Sequence, residues 1–147
     1  MRSEIGIRFR DGLAEVREAL LAVNPDLGDV PWRANGWTRK QIVGHLLDSA
    51  ANNRQRFVRG ALDGAYNGPG YAQDAWVDLQ GYAEQSWETL LGWWQAEHEM
   101  LAAIVDRIPA ERLDAQCVIG GDEPVTLQFV IDDYVRHQKH HLGQITA

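Results

Sequence analysis

Four stretches of this chain repeat their apolar residues every three or four positions, and no comparable stretch alternates with a period of two. Such a chain can bury its apolar surface only by packing helices against one another. The first stretch covers residues 3–23, with Ile7, Leu13, Val16, Leu20 and Val23 as its stripe, and Asn24-Pro25 stops it. The second opens at Thr38, where Gln41 three positions on completes a capping box and Trp37 is placed to pack on Ile42. Its inner face is Ile42, Leu46, Ala50, Asn53, Phe57 and Ala61. The third runs over residues 79–107, from Ala83 and Trp87 through Leu90, Leu91, Trp94, His98, Leu101, Val105 and Ile108, and Pro109 ends it. The fourth follows Thr126, a candidate N-cap, with Leu127, Val130, Ile131, Tyr134, Leu142 and Ile145 turned inward.

Between the second and third helices, residues 63–76 lose the periodicity and gain glycine and proline. This is either a lid carrying Tyr66, Tyr71 and Trp76 over a pocket or a strap whose rings pack down for stability. Residues 110–115 read as one helical turn and residues 120–124 as a tight turn. Cys117-Val118-Ile119 between them is too short and isolated to predict a sheet. The expectation is all-α: one domain over residues 1–147, a four-helix bundle with a long crossover loop between helices 2 and 3.

Three of the five histidines lie within residues 137–141. At about 100° per residue, His141 falls near the middle of the apolar face, His137 on its flank and His140 toward solvent. His137 and His141 are one turn apart, so their imidazoles can address a common atom. His45 sits near the start of the second helix, at the head of a polar row formed by His45, Ser49, Asn52 and Arg56. Three imidazoles from two facing helices suit Zn²⁺, Ni²⁺, Co²⁺ or Fe²⁺ and leave coordination positions open. His98 has no second ligand type one turn away and reads as a core residue.

The net charge of −7 opposes a phosphate-neutralising surface, so nucleic acid is not an expected partner. No apolar run is long enough to span a bilayer, and one cysteine cannot form an internal disulfide. A cytoplasmic protein acting on a small molecule is expected, with a homodimer as one expected assembly.

The run Gly-Trp-Thr-Arg-Lys-Gln-Ile-Val-Gly-His-Leu-Leu-Asp at 36–48, Asn-Asn-Arg-Gln-Arg-Phe at 52–57 and Asp-Tyr-Val-Arg-His-Gln-Lys-His-His-Leu-Gly-Gln-Ile at 133–145 resemble the DinB/YfiT-like family. Gln-Asp-Ala-Trp at 73–76 and Leu-Gln-Gly-Tyr at 79–82 resemble it too. The resemblance implies an up-down-down-up bundle of helices and a divalent metal on His45, His137 and His141. It also implies a thiol S-transferase using bacillithiol, mycothiol or glutathione as co-substrate, since the family includes such enzymes and a mycothiol-dependent maleylpyruvate isomerase. A metal-dependent hydrolase and a non-catalytic metal- or ligand-binding stress protein are the alternatives. Asp48 and Gln144 are candidates for orienting imidazoles. Asn52 and Arg56 are candidates for gripping a substrate carboxylate, with a surface ion pair as the other reading of Arg56. Tyr71 and Trp76 are the candidates for shaping the pocket mouth.

Overall fold

The computed structural model describes residues 2–147. Among them are five α-helices: α1 (Glu4–Ala22), α2 (Arg39–Asp63), α3 (Gln73–Gln80), α4 (Trp87–Arg107) and α5 (Leu127–Ile145). Three short strands join them: β1 (Ala65–Gly68), β2 (Gln116–Ile119) and β3 (Val125–Thr126). Ser3, Thr38, Ser86 and Thr126 each accept a backbone N–H three residues on, which satisfies a donor that the first helical turn leaves free. At Thr38 the Gln41 side chain returns the bond, closing the capping box.

Helices α1, α2, α4 and α5 form the bundle, with α1 and α2 at opposite corners and both packed against α4 and α5. Their directions follow from side-chain pairs. The Ser3 amide donates to Asp106 at the far end of α4, so α1 and α4 are antiparallel. Arg8 meets Asp132 and Glu15 meets Lys139, so α1 and α5 run together. Gly44 lies beside Tyr82 and Arg54 pairs with Glu97, so α2 and α4 run together. Arg39 reaches the carbonyl of Ile145 while Gly60 lies beside Leu127, so α2 and α5 are antiparallel. The four helices run up, down, down, up in chain order. Their shared core holds Phe9 stacked on Tyr134 at 5.9 Å and edge-on to Phe57 at 6.3 Å, with Trp94, Leu46, Leu101 and Ile131 around them. No helix among the described residues is long and apolar enough to cross a membrane.

Several sequence expectations need correcting. The third bundle helix does not begin at Leu79. Gly81 takes φ 63°, a left-handed conformation that ends α3, and Ser86 caps a new helix at Trp87. Leu79 is accordingly 90 % exposed, and Ala83 is exposed too. On α1, Ile7 faces outward and Ile5 and Phe9 take the interior. The crossover is not structureless, because it holds β1 and α3. Cys117-Val118-Ile119 is not isolated either: β2 pairs in parallel with β1, Tyr66 opposite Cys117, and antiparallel with β3, Cys117 opposite Val125. Gly120 and Gly121, at φ 62° and 77°, make the turn between β2 and β3. The β1 partner lies about fifty residues upstream, which no local pattern reveals.

Two polar arrangements lock the interior. In the first, Trp94 Nε1 donates to Gln138 Oε1 at 3.1 Å, and Gln138 Nε2 donates to the Tyr134 oxygen at 3.2 Å. Tyr134 O–H donates to His98 Nε2 at 2.5 Å, and His98 Nδ1 donates to the Trp94 carbonyl at 2.7 Å. This ring of donors and acceptors closes on itself, which is how a core keeps two polar residues without an orphan. In the second, the Tyr82 hydroxyl and the Gln80 amide donate to Asp48 Oδ1 at 2.6 and 2.7 Å. Tyr82 gets this close because Gly44 has no Cβ; a methyl group there would collide with the Tyr82 ring.

Gly44→Ala should therefore destabilise the fold by roughly 1–3 kcal/mol despite alanine's better helix propensity. A urea melt that leaves the midpoint unchanged or raised would show that Tyr82 does not pack there. Burial holds His98 neutral, its pKa lowered from 6.5 to about 4. Below pH 6.5 the unfolded chain takes a proton that the folded chain refuses, so this contribution is intact at pH 7 and shrinks as pH falls toward 4. Between pH 7 and pH 5 the native chain should lose about 2 kcal/mol more stability than His98→Gln. Equal losses in the two proteins would place His98 in contact with solvent.

Candidate metal centre

The capping box at Thr38 starts α2 in a set register, and about two turns later His45 points into the bundle, fully buried. Across from it, α5 supplies His137 and His141, both half-buried. Nε2 of His137 lies 3.2 Å from Nε2 of His45 and 3.1 Å from Nε2 of His141. All three ring nitrogens fall within 4.8 Å of one another. The three rings stand nearly perpendicular in pairs, at 73–78°, so their edges converge on one point. The Trp37 ring lies 5.0 Å from that of His45.

A neutral imidazole has one N–H and one lone pair. His137 Nε2 faces two other nitrogens and can form a hydrogen bond with only one of them, so bonding among the three rings cannot satisfy the cluster. His141 Nδ1 lies 2.7 Å from the Gln144 amide oxygen, which assigns its proton to Nδ1 and leaves its Nε2 lone pair facing the cluster. Burial, reinforced by the neighbouring imidazoles, lowers His45 to about 3 and His137 to about 4, and burial lowers His141 as well. Three neutral imidazoles with converging lone pairs are the donor set of a divalent transition metal. The residues present fit the group, and a cation at their centre would satisfy all three at once. The outer nitrogens of His45 and His137 are buried without a partner, so Gln144 is the side chain that orients a ring of this cluster.

His137 also forms one wall of a cavity of about 330 Å³. Helix α2 contributes Ser49, Asn53 and Arg56, α5 contributes Phe129, Val130, Asp133 and Tyr134, the crossover contributes Gly70, Tyr71 and Gln73, and the strands contribute Ile119 and Val125. Burial lifts the Tyr71 hydroxyl to about 12, so it stays protonated and can donate a hydrogen bond.

Several named candidates sit elsewhere. Asp48 hydrogen-bonds to no imidazole among the described residues; one turn beyond His45 it accepts from Tyr82 and Gln80, and burial raises its pKa. Asn52 turns back to the Asp48 carbonyl at 2.9 Å, and Asn53 takes the place in the cavity wall. Asn53 already stood on the apolar stripe of α2, and a polar residue on an apolar face was the available signal. Arg56 reaches the cavity and makes no ion pair among the described residues. Trp76 supports Tyr71 at 5.1 Å and is 37 % exposed, so it backs the wall without lining it. Cys117 is buried in β2, and burial raises its thiol pKa. His140 is exposed beside His141.

The DinB superfamily model matches residues 8–145. Bacillus subtilis (strain 168) has a relative named "Putative metal-dependent hydrolase YfiT", 28 % identical over 138 residues, which cover 90 % of this chain and 75 % of that protein. A relative named "Putative metal-dependent hydrolase" from Bacillus pumilus (strain SAFR-032) is 28 % identical over 141 residues, covering 92 % of this chain and 80 % of its own length. The solved structure of YfiT from Bacillus subtilis, described as an unusual four-helix bundle, superposes with a TM-score of 0.84 at 25 % identity, covering 99 % of this chain and 86 % of that one.

Removing His141 by substitution with Ala should weaken zinc binding severely, whereas His140→Ala should leave it nearly unchanged. Gln144→Ala should cost about 10–100-fold in affinity, through loss of ring orientation alone. Competition titration against a chromogenic chelator measures all three. Equal losses at His140 and His141 would contradict the shared site.

Proposed function

The chain belongs to the DinB superfamily, and on that premise we propose that it is a metal-dependent enzyme: His45, His137 and His141 hold a divalent ion, and the reaction transfers a low-molecular-weight thiol to an electrophilic small molecule. The observation that supports this best is the convergence of three Nε2 atoms at the edge of a cavity large enough for a small organic molecule. Three protein ligands, and not four, match the pattern of a catalytic ion. When bound there, the ion supplies Lewis acidity at the positions the protein leaves open, enough to ionise a thiol or a water near neutral pH.

The chain's own residues do the rest. Gln144 holds the proton on His141 Nδ1, keeping Nε2 as the donor atom. Tyr71 and Ser49 offer hydroxyls to a molecule in the cavity, and Phe129, Val130, Ile119 and Val125 give it an apolar side. Among the described residues, no thiol lines this site. Cys117 is fully buried in β2, and burial disfavours its thiolate. In this reading the reacting sulfur arrives with a co-substrate such as bacillithiol, mycothiol or glutathione. Hydrolysis, with water in place of the thiol, is the second reading, and the names of the Bacillus relatives favour it.

Conjugation of a chromogenic electrophile should be followed with bacillithiol, mycothiol, glutathione and coenzyme A in turn, with metal-loaded and metal-free protein. Cys117→Ala should keep the activity, and His137→Ala should lower it by about a hundredfold or more, as removal of a metal ligand does. Ester hydrolysis that proceeds equally with and without thiol would move the second reading ahead of the first.

A further inference from the structure

Three arginine side chains that turn into this molecule find partners, and Arg56 lacks a comparable one. Arg10 pairs with Asp106, Arg54 pairs with Glu97 at 2.9 Å, and Arg39 donates to the backbone oxygens of Val30, Ile145 and Ala147. Arg56 lines the cavity beside His137, its Nε is buried with no acceptor, and its closest partner is Asn53 Oδ1 at a long 3.4 Å. A guanidinium carries five N–H groups in a planar fork, and leaving them unmet in a partly buried place is costly.

The rest of that wall is short of negative charge. Ser49, Asn53 and Tyr71 are neutral, and the cavity's carboxylate, Asp133, is exposed and turned to Arg136 at 3.4 Å. A cationic fork facing neutral hydrogen-bonding groups, beside three converging imidazoles, is complementary to an acid.

We propose that Arg56 forms an oxyanion subsite of the same cavity, so that the molecule placed against the metal centre carries a carboxylate, sulfonate or phosphate which the guanidinium grips in bidentate fashion. The subsite rests on the triad being a metal site, and it narrows the substrate class to anionic thiols or anionic electrophiles.

The test uses the full chain loaded with cobalt, titrated with 3-mercaptopropionate, 2-mercaptoethanesulfonate and the uncharged 3-mercaptopropan-1-ol. The sulfur–cobalt absorption band reports sulfur binding. In the native chain one or both acids should bind at least about tenfold more tightly than the alcohol, as a charge-assisted bidentate pair provides. The stronger acid identifies the oxyanion as carboxylate or sulfonate. In Arg56→Gln the preference should vanish, while cobalt content and affinity for the alcohol stay as they were. Arg56→Lys, which keeps the charge and loses the fork, should retain part of the preference, and Arg59→Gln, an exposed neighbour, should retain all of it. A preference that survives Arg56→Gln with cobalt bound overturns the subsite. If cobalt binds but no thiol gives a band, the thiol reading of the site fails by itself. Calorimetry with succinate then decides the subsite: affinity that depends on Arg56 supports it, and affinity that is absent or independent of Arg56 overturns it.

Discussion

The antiparallel contact between α2 and α5 is the constraint on which the rest depends. It is fastened near both ends. At one, Arg39 is buried and donates to the carbonyls of Ile145 at 2.7 Å and Ala147 at 2.6 Å. These oxygens lie where a helix leaves its acceptors unmet and where its dipole favours a cation. At the other, Gly60 brings the backbone of α2 against the Leu127 side chain at the start of α5, with Cys117 beside them. Sliding one helix along the other by a single residue would move His45 about 1.5 Å relative to His137 and His141. Metal ligation tolerates a few tenths of an ångström, so the clamp at Arg39 and the close approach at Gly60 set the centre as much as its ligands do.

Around this pair the chain separates two tasks. Bundle helices carry the imidazoles, on rigid elements whose rotation is fixed by buried aliphatic and aromatic side chains. The crossover and the three-stranded sheet supply the far wall of the cavity, through Gly70, Tyr71, Ile119 and Val125. Two anchors hold the crossover. One is the β1–β2 pairing, and the other is Asp48, which receives hydrogen bonds from Tyr82 and Gln80. Asp48 is thus connected to the histidine cluster through position: it fixes the end of the crossover one turn after His45, and it hydrogen-bonds to none of the three imidazoles.

The bundle and the triad were legible in the sequence because both are periodic. Capping residues, a stripe every three or four positions and two histidines one turn apart are local signals, and α2 and α5 follow them closely. What local signals miss is pairing across distance. The sheet joins residues 65–68 to 116–119 and so leaves no trace in either segment alone. The start of α4 escapes the pattern because Leu79 and Ala83 continue the apolar spacing, although Gly81 in a left-handed conformation breaks the helix between them. Gln144 could be named from spacing but not assigned, since its reach to His141 depends on a rotamer. Asn52 and Asn53 are neighbours on one helix, and which of them faces the cavity is a rotation of about 100° that a wheel drawn on an ideal axis places only coarsely.

The two interior polar arrangements differ in a way that bears on function. In the ring of Trp94, Gln138, Tyr134 and His98, every polar group named has a partner, and it can be read as architecture. Among the described residues, the buried side-chain groups left without partners are Nδ1 of His45 and of His137, Oδ2 of Asp48 and Nε of Arg56. These four atoms belong to the histidine cluster, to the neighbouring turn of α2 and to the cavity wall. A fold that satisfies the polar groups of its core yet leaves these unmet concentrates its incomplete chemistry in one place. Unmet hydrogen-bonding capacity costs stability, and among the described residues it is confined to side chains of α2 and α5, the two helices that carry the three imidazoles and line the cavity.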